Sequence, residues 1–252
     1  ATACFSIIEP RVGITMTVSA NTDIDAYESH QQVDFSINYQ QYNVTNPTGE
    51  FTPVVMQNER WDNHVADLKP TYIRTSELVY THNRSLIFEA GNEYRRFEIL
   101  DPYVATMNID RMAYEGDFFN AYLYGSEPRV NYKYDEDQDG RFWIRNGSNV
   151  DNDTESDYFY THFTLSAPEL SGGNVYVFGG LTDNRISEEW QMEYDLTRHV
   201  YELEAPLKQG SYNYMYAFVP DGATTAALEP MEGSFYQTEN EYSVYVYRSE
   251  EH

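Results

Sequence analysis

The chain has 252 residues, and its 41 Asp and Glu against 16 Lys and Arg give a formal net charge of −25. So acidic a surface repels phosphate backbones and anionic lipid faces, which excludes nucleic acid as an expected partner and favours cations or basic protein patches. No apolar run reaches the length of a membrane-spanning helix, so direct membrane insertion is not expected, and the length suits one large or two ordinary domains. The 24 Tyr and 13 Phe favour pleated, half-buried positions, which points to an all-β chain.

In chain order, Phe5–Glu9 is apolar and is closed by Pro10, so residues 1–10 are expected to form a terminal or edge strand. Cys4 is the sole cysteine; no intrachain disulfide exists, and a buried apolar role is expected for it. Ile14, Met16 and Val18 alternate with Thr15 and Thr17, and Val33, Phe35, Ile37 and Tyr39 alternate with Asp34, Ser36 and Asn38. Further strands are expected at Phe51–Gln57, Thr71–Arg74, Glu77–Tyr80, Tyr94–Leu100 and Phe119–Tyr124, with turn clusters between them. No segment carries sustained helical periodicity.

The acidic, turn-rich stretch "DEDQDGRFWIRNGSNVDNDTESD" marks a change of composition, and a domain boundary is expected near residue 148. Beyond it, Phe159, Thr161, Phe163 and Leu165 share one face, and Tyr201, Leu203 and Ala205 alternate with Glu202 and Glu204. After the turn Lys208-Gln209-Gly210, Tyr212, Tyr214, Tyr216 and Phe218 take one face and Asn213, Met215, Ala217 and Val219 the other. Pro220-Asp221-Gly222 ends that strand, because Pro cannot donate to the ladder and Gly supplies positive φ. Tyr242, Val244 and Val246 mark a last strand. The expected fold is all-β, two tandem immunoglobulin-like (early-set-like) β-sandwich domains over residues 11–147 and 148–252.

Few residues offer chemistry. Asp135, Asp137, Asp139 and Gly140 spell D-x-D-x-D-G, a spacing that places three carboxylates inside a tight loop and so marks a candidate calcium site. Asn146 stands where an EF-hand requires a bidentate Glu, which leaves Asp151, Asp153 or Glu155 to complete a looser site, or the whole stretch as an acidic hairpin tip. The six histidines form no H-E-x-x-H pair, no G-x-S-x-G elbow occurs, and the Gly pairs fall in sheet turns rather than before helices. No catalytic residue is expected. Trp61 and Trp143 fall in turn-rich segments where an aromatic serves either packing or an interface, and Arg95 and Arg96 are open to ion pairing or to partner contact.

Ordered blocks along the sequence carry a resemblance. "EPRVGI", "NTDIDAYESHQQVDFSINY", "VVMQNERWDN", "FEAGNEYRRFEI", "DGRFWIRN", "VYVFGGLTDN", "LKQGSYNYMYAFVPDG" and "EGSFYQTENEYSVYVYR" resemble, in the same order, a Bacteroidetes family of uncharacterised-domain proteins that includes the plug of the type IX secretion translocon. The resemblance implies a periplasmic, outer-membrane-associated and non-enzymatic component. Its partner would be the translocon β-barrel, whose periplasmic mouth it closes by steric occlusion. It also implies a fragment lacking a signal and an N-terminal domain, to which residues 1–10 would contribute a last strand. The second half is in addition similar to glycogen-binding modules of family 48, and by that likeness Trp190 and Tyr201 are candidate sugar-stacking or partner-contact aromatics. Met215 falls near the position of those modules' lysine. Carbohydrate binding by the second sandwich is thus the alternative expectation.

Overall fold

Period-two alternation becomes sheet wherever one face can be covered by another. The computed structural model describes residues 12–148 and 150–249; Cys4 and the strand expected within residues 1–10 lie outside them. The first strands are β1 (Gly13–Ser19), β2 (His30–Asn38), β3 (Phe51–Gln57), β4 (Tyr72–Arg74), β5 (Glu77–Tyr80) and β6 (Ile87–Glu89). Next come β7 (Arg95–Ile99), β8 (Ile109–Glu115), β9 (Phe118–Leu123), β10 (Phe142–Ile144) and β11 (Tyr158–Ser166). The chain closes with β12 (Gly173–Phe178), β13 (Glu193–Asp195), β14 (Val200–Lys208), β15 (Gly210–Pro220) and β16 (Tyr242–Arg248). The fold is an all-β sandwich fold, as the alternation predicts; its helices among the described residues are single turns such as Glu229–Glu232.

Two pairs of sheets enclose the main cores. In the first, the sheet β1-β2-β5-β4, with β6 also on β2, is covered by the β16-β3 pair. Val33, Phe35 and Ile37 from β2, Phe51 and Val55 from β3, Leu78 and Tyr80 from β5 and Tyr242 from β16 fill the space between them. In the second, β15 is flanked by β7 on one side and by β10 and β12 on the other, and it faces the sheet β13-β14-β11-β9-β8. Phe97, Phe159, Phe163, Leu165, Tyr212, Tyr214 and Tyr216 meet there. The ring of Phe97 stacks on Tyr212 with centroids 5.2 Å apart.

The division expected near residue 148 is not a break in the sheets. β7, β9 and β10 precede it, yet they pair with β15, β11 and β15 respectively. The last strand, β16, returns to pair with β3 along its whole length. The second pair of sheets is therefore inserted between β6 and β16 of the first, and the boundaries 11–147 and 148–252 do not describe the arrangement. Partner choice follows matching apolar faces rather than nearness in sequence. Phe97 belongs with Tyr212 because each covers the other, whatever turn composition lies between them.

β15 is buried on both faces. Its Tyr212, Tyr214 and Tyr216 face the large core, while Met215, Ala217 and Val219 form a third cluster with Tyr176, Phe178, Tyr94, Ala226 and Leu228. This third cluster lies where the two halves of the fold meet. Arg60, at the end of β3, is 3% exposed and is held by Asp62 at 3.0 and 2.7 Å and by Ala226 O at 3.0 Å. Its guanidinium lies 5.0 Å from the ring centroid of Phe178. Asp62 in turn accepts the Ala226 N–H at 3.0 Å.

Candidate functional site

The sequence brings together at this junction what its spacing keeps apart. A cleft of about 650 Å³ opens there, lined by Val18 of β1, Gln31 of β2, Glu93 of the β6–β7 crossover, the 135–139 loop and the returning segment 238–241. Seven of its lining residues are carboxylates: Glu93, Asp135, Glu136, Asp137, Asp139, Glu239 and Glu241.

The D-x-D-x-D-G loop is held in place by the crossover. Asp137 accepts the backbone N–H of Tyr94 on one oxygen and that of Asp139, at 2.7 Å, on the other. Asp139 and Gly140 take φ of 51° and 85°, the left-handed turn that Gly tolerates best. A Cβ on Gly140 would stand 2.7 Å from the Tyr94 ring, so the glycine also makes room for that aromatic. Gly180 N donates to Gly140 O at 2.6 Å and ties the loop to the end of β12.

Around the cleft, Asp135 pairs with Arg96 at 2.7 Å and Glu241 pairs with Arg141. Glu93, Glu136, Asp137, Asp139 and Glu239 have no ion-pair partner among the described residues. Glu93 is 2% exposed. It accepts the Tyr132 hydroxyl at 2.7 Å and the Glu239 N–H at 3.1 Å, both on Oε1. Burial raises the Glu93 carboxyl above the ordinary carboxylate range, and Asp139 likewise. Burial pushes Asp137 up to about 6 against the opposing pull of its two backbone donors.

The three loop aspartates thus line one cleft without converging. Asp135 is turned to Arg96, and both oxygens of Asp137 are taken by N–H groups. Among the described residues, no group of three or more His, Cys, Asp or Glu is placed to hold a metal ion. The aromatics expected to stack on sugar are not a pair on an open face. Tyr201 is 4% exposed, sits in the large core and accepts the Leu170 N–H at 2.7 Å through its hydroxyl, so it has no face to offer a ligand. The alternation that put Tyr201 with Leu203 and Ala205 selects the inward face of β14. Trp190 is partly buried against the same core.

Trp61 and Trp143 are exposed, and Trp143 borders a second hollow of about 440 Å³ with Glu98, Arg145 and Ser211. Of the two arginines left open by the sequence, Arg95 is buried on Glu232 at 2.9 Å and Arg96 lies at the cleft. Sequence reasoning missed Glu93, Glu239 and Glu241 as site residues. Glu93 lies 42 positions before Asp135 of the loop and Glu239 lies 100 positions after Asp139, with Glu241 close by, and in so acidic a chain no single Glu stands out.

No family model matches the sequence, and no curated protein matches it. Among solved structures, the chain is similar to a hypothetical protein from Parabacteroides merdae ATCC 43184, whose crystal structure was determined at 2.30 Å resolution. The TM-score is 0.94 and the sequence identity 46%, over 98% of this chain and 63% of that one. The chain therefore spans less than two-thirds of that relative's length.

Proposed function

We propose that the protein is a non-enzymatic docking component of the type IX secretion outer-membrane translocon, acting in the periplasm as a plug for the translocon β-barrel. The observation that carries this reading is the ordered likeness of eight sequence blocks to the plug family. Several of those blocks supply the parts that fix the body: "NERWDN" holds the Arg60–Asp62 pair, "NEYRRFEI" the crossover with Arg95, and "ENEYSVYVYR" the returning β16.

Occlusion of a pore needs a stiff body and a docking surface, not reacting groups. Two sheet pairs joined by the hydrogen bonds of the buried Arg60–Asp62 pair to Ala226 and by a shared apolar cluster make a body that can block a channel without deforming. An acidic exterior favours a basic rim on the partner and weakens non-specific adhesion to anionic lipid. The sugar-binding alternative has no such support, since its second aromatic lies in the core.

The test is electrical. The full-length protein is added to the purified translocon barrel in a planar bilayer, and conductance is followed. Closure that reverses on washing at high salt is the expected result. An open channel unaffected by saturating protein would overturn the plug role.

A further inference from the structure

We propose that the hollow beside Trp143 is a binding site for a neutral hexose unit of a glycan; it uses neither Trp190 nor Tyr201 and stands apart from the plug reading. Antiparallel register places Trp143, Ser211 and Glu98 in one row across β10, β15 and β7. Side chains in such a row share a face, and Tyr212 and Phe97 of the next row point into the core, so this row faces outward. Arg145 lies two residues beyond Trp143, on the same side, and lines the same hollow of about 440 Å³ together with Gln138. Gly210 lets β10 close on β15, since a Cβ there would stand 2.6 Å from the Trp143 carbonyl oxygen. The indole is thus carried on sheet rather than on a free loop.

The side chains around the hollow are uncommitted. Trp143 is 66% exposed and makes no ring contact among the described residues. Arg145 has no ion pair or side-chain hydrogen bond among them, whereas Arg96 and Arg141 are held by Asp135 and Glu241. The Gln138 amide is likewise unbonded, while its backbone N–H donates to Asn213 Oδ1. Glu98 accepts the Ser211 hydroxyl at 2.7 Å on Oε1, which leaves Oε2 with no partner among the described residues. Arg145 and Glu98 border one hollow without pairing, and that separation selects the ligand. An anion, a nucleotide's phosphate included, would meet Glu98 in a chain of net charge −25, and a cation would meet Arg145. A wholly apolar ligand would leave guanidinium, carboxylate and amide unpaired. A hydroxyl both donates and accepts, so a polyol satisfies Glu98 as donor and Arg145 as acceptor. A pyranose adds a face of C–H groups to lie on the indole.

The experiment titrates the protein with maltohexaose, mannohexaose and chitohexaose, read by calorimetry and by tryptophan fluorescence. Wild type is compared with Trp143→Ala, Arg145→Gln and, as a control, Trp61→Ala. All three side chains are exposed, and circular dichroism checks that each variant is folded. Expected is saturable binding of at least one hexasaccharide below about 10 mM. It should weaken at least about tenfold in Trp143→Ala, about threefold in Arg145→Gln and less than about twofold in Trp61→Ala. A hexamer of galacturonic acid should bind more weakly than the best neutral hexamer. No saturable binding of any neutral hexamer, a loss in Trp143→Ala no greater than in Trp61→Ala, or tighter binding of the galacturonate would overturn the proposal. Channel closure is read separately, so failure of either result leaves the other standing.

Discussion

Arg95 Nε lies 2.9 Å from Glu232 Oε1, and this pair joins β7 to the helical turn that follows β15. Glu232 is fully buried, accepts the Tyr216 N–H at 2.8 Å and stands 3.5 Å from Arg129. One carboxylate therefore compensates two guanidinium groups and a backbone donor inside the second sandwich. Glu232→Gln keeps an acceptor but leaves Arg95 and Arg129 without a counter-charge. We expect a loss of about 3 kcal/mol, a fall of roughly 6–12 °C in melting temperature, measurable by calorimetry. Wild-type stability in that variant would mean that the pair is not compensating buried charge.

The opposite sign is expected at Glu93. Gln is isosteric with Glu and can keep both donors on Oε1. Because burial raises the folded-state pKa, the native chain binds the proton more tightly than the unfolded one. The stability contributed by this group is present at low pH and is lost as pH rises through the folded-state pKa. Glu93→Gln should therefore melt higher than wild type at pH 7.5, and the gap should close as the pH is lowered toward 4. A gap that widens on acidification would show the sign to be wrong.

At the junction, Arg60 makes two hydrogen bonds to Asp62 and one to Ala226 O while lying over Phe178. Lysine has neither the fork nor the planar face, so Arg60→Lys is not conservative here. A loss of about 2–3 kcal/mol is expected in chemical denaturation. Hydrogen exchange should show faster opening of the β3–β16 pair and of residues 225–228. Uniform protection across the junction would argue that the two halves are held by the apolar cluster alone.

How far the sequence reveals this molecule depends on the range over which the physics acts. Alternation is local, and Val33 to Tyr39, Phe159 to Leu165 and Tyr212 to Val219 take the faces expected of them. β8 escaped notice because a register shift between Ile109 and Arg111 breaks its period, and because much of this edge strand faces solvent. Pairing is non-local. Nothing in the composition near residue 148 reveals that Phe97 must meet Tyr212, or that β16 must return to β3. The aspartate loop was legible as a motif, but its hold on Tyr94 and its meeting with Glu93 and Glu239 depend on that return. Tyr201 was misplaced for a related reason, since an inward aromatic and an exposed platform look alike in one strand.

Gly140 tests the loop directly. Its φ of 85° and the Tyr94 ring only 2.7 Å from a built Cβ oppose any side chain. Gly140→Ala should cost about 1 kcal/mol or more from the backbone alone and shift the Tyr94 ring as well. Near-ultraviolet circular dichroism and melting temperature would both move. An unchanged pair of signals would remove the proposed contact between loop and crossover.

The measurement that bears most directly on the central proposal is a pull-down of the tagged full-length protein from its native outer-membrane extract, identified by mass spectrometry. It should recover the very large β-barrel of the type IX translocon. Absence of that barrel from the eluate, under conditions where the bait is folded and intact, would contradict the assignment.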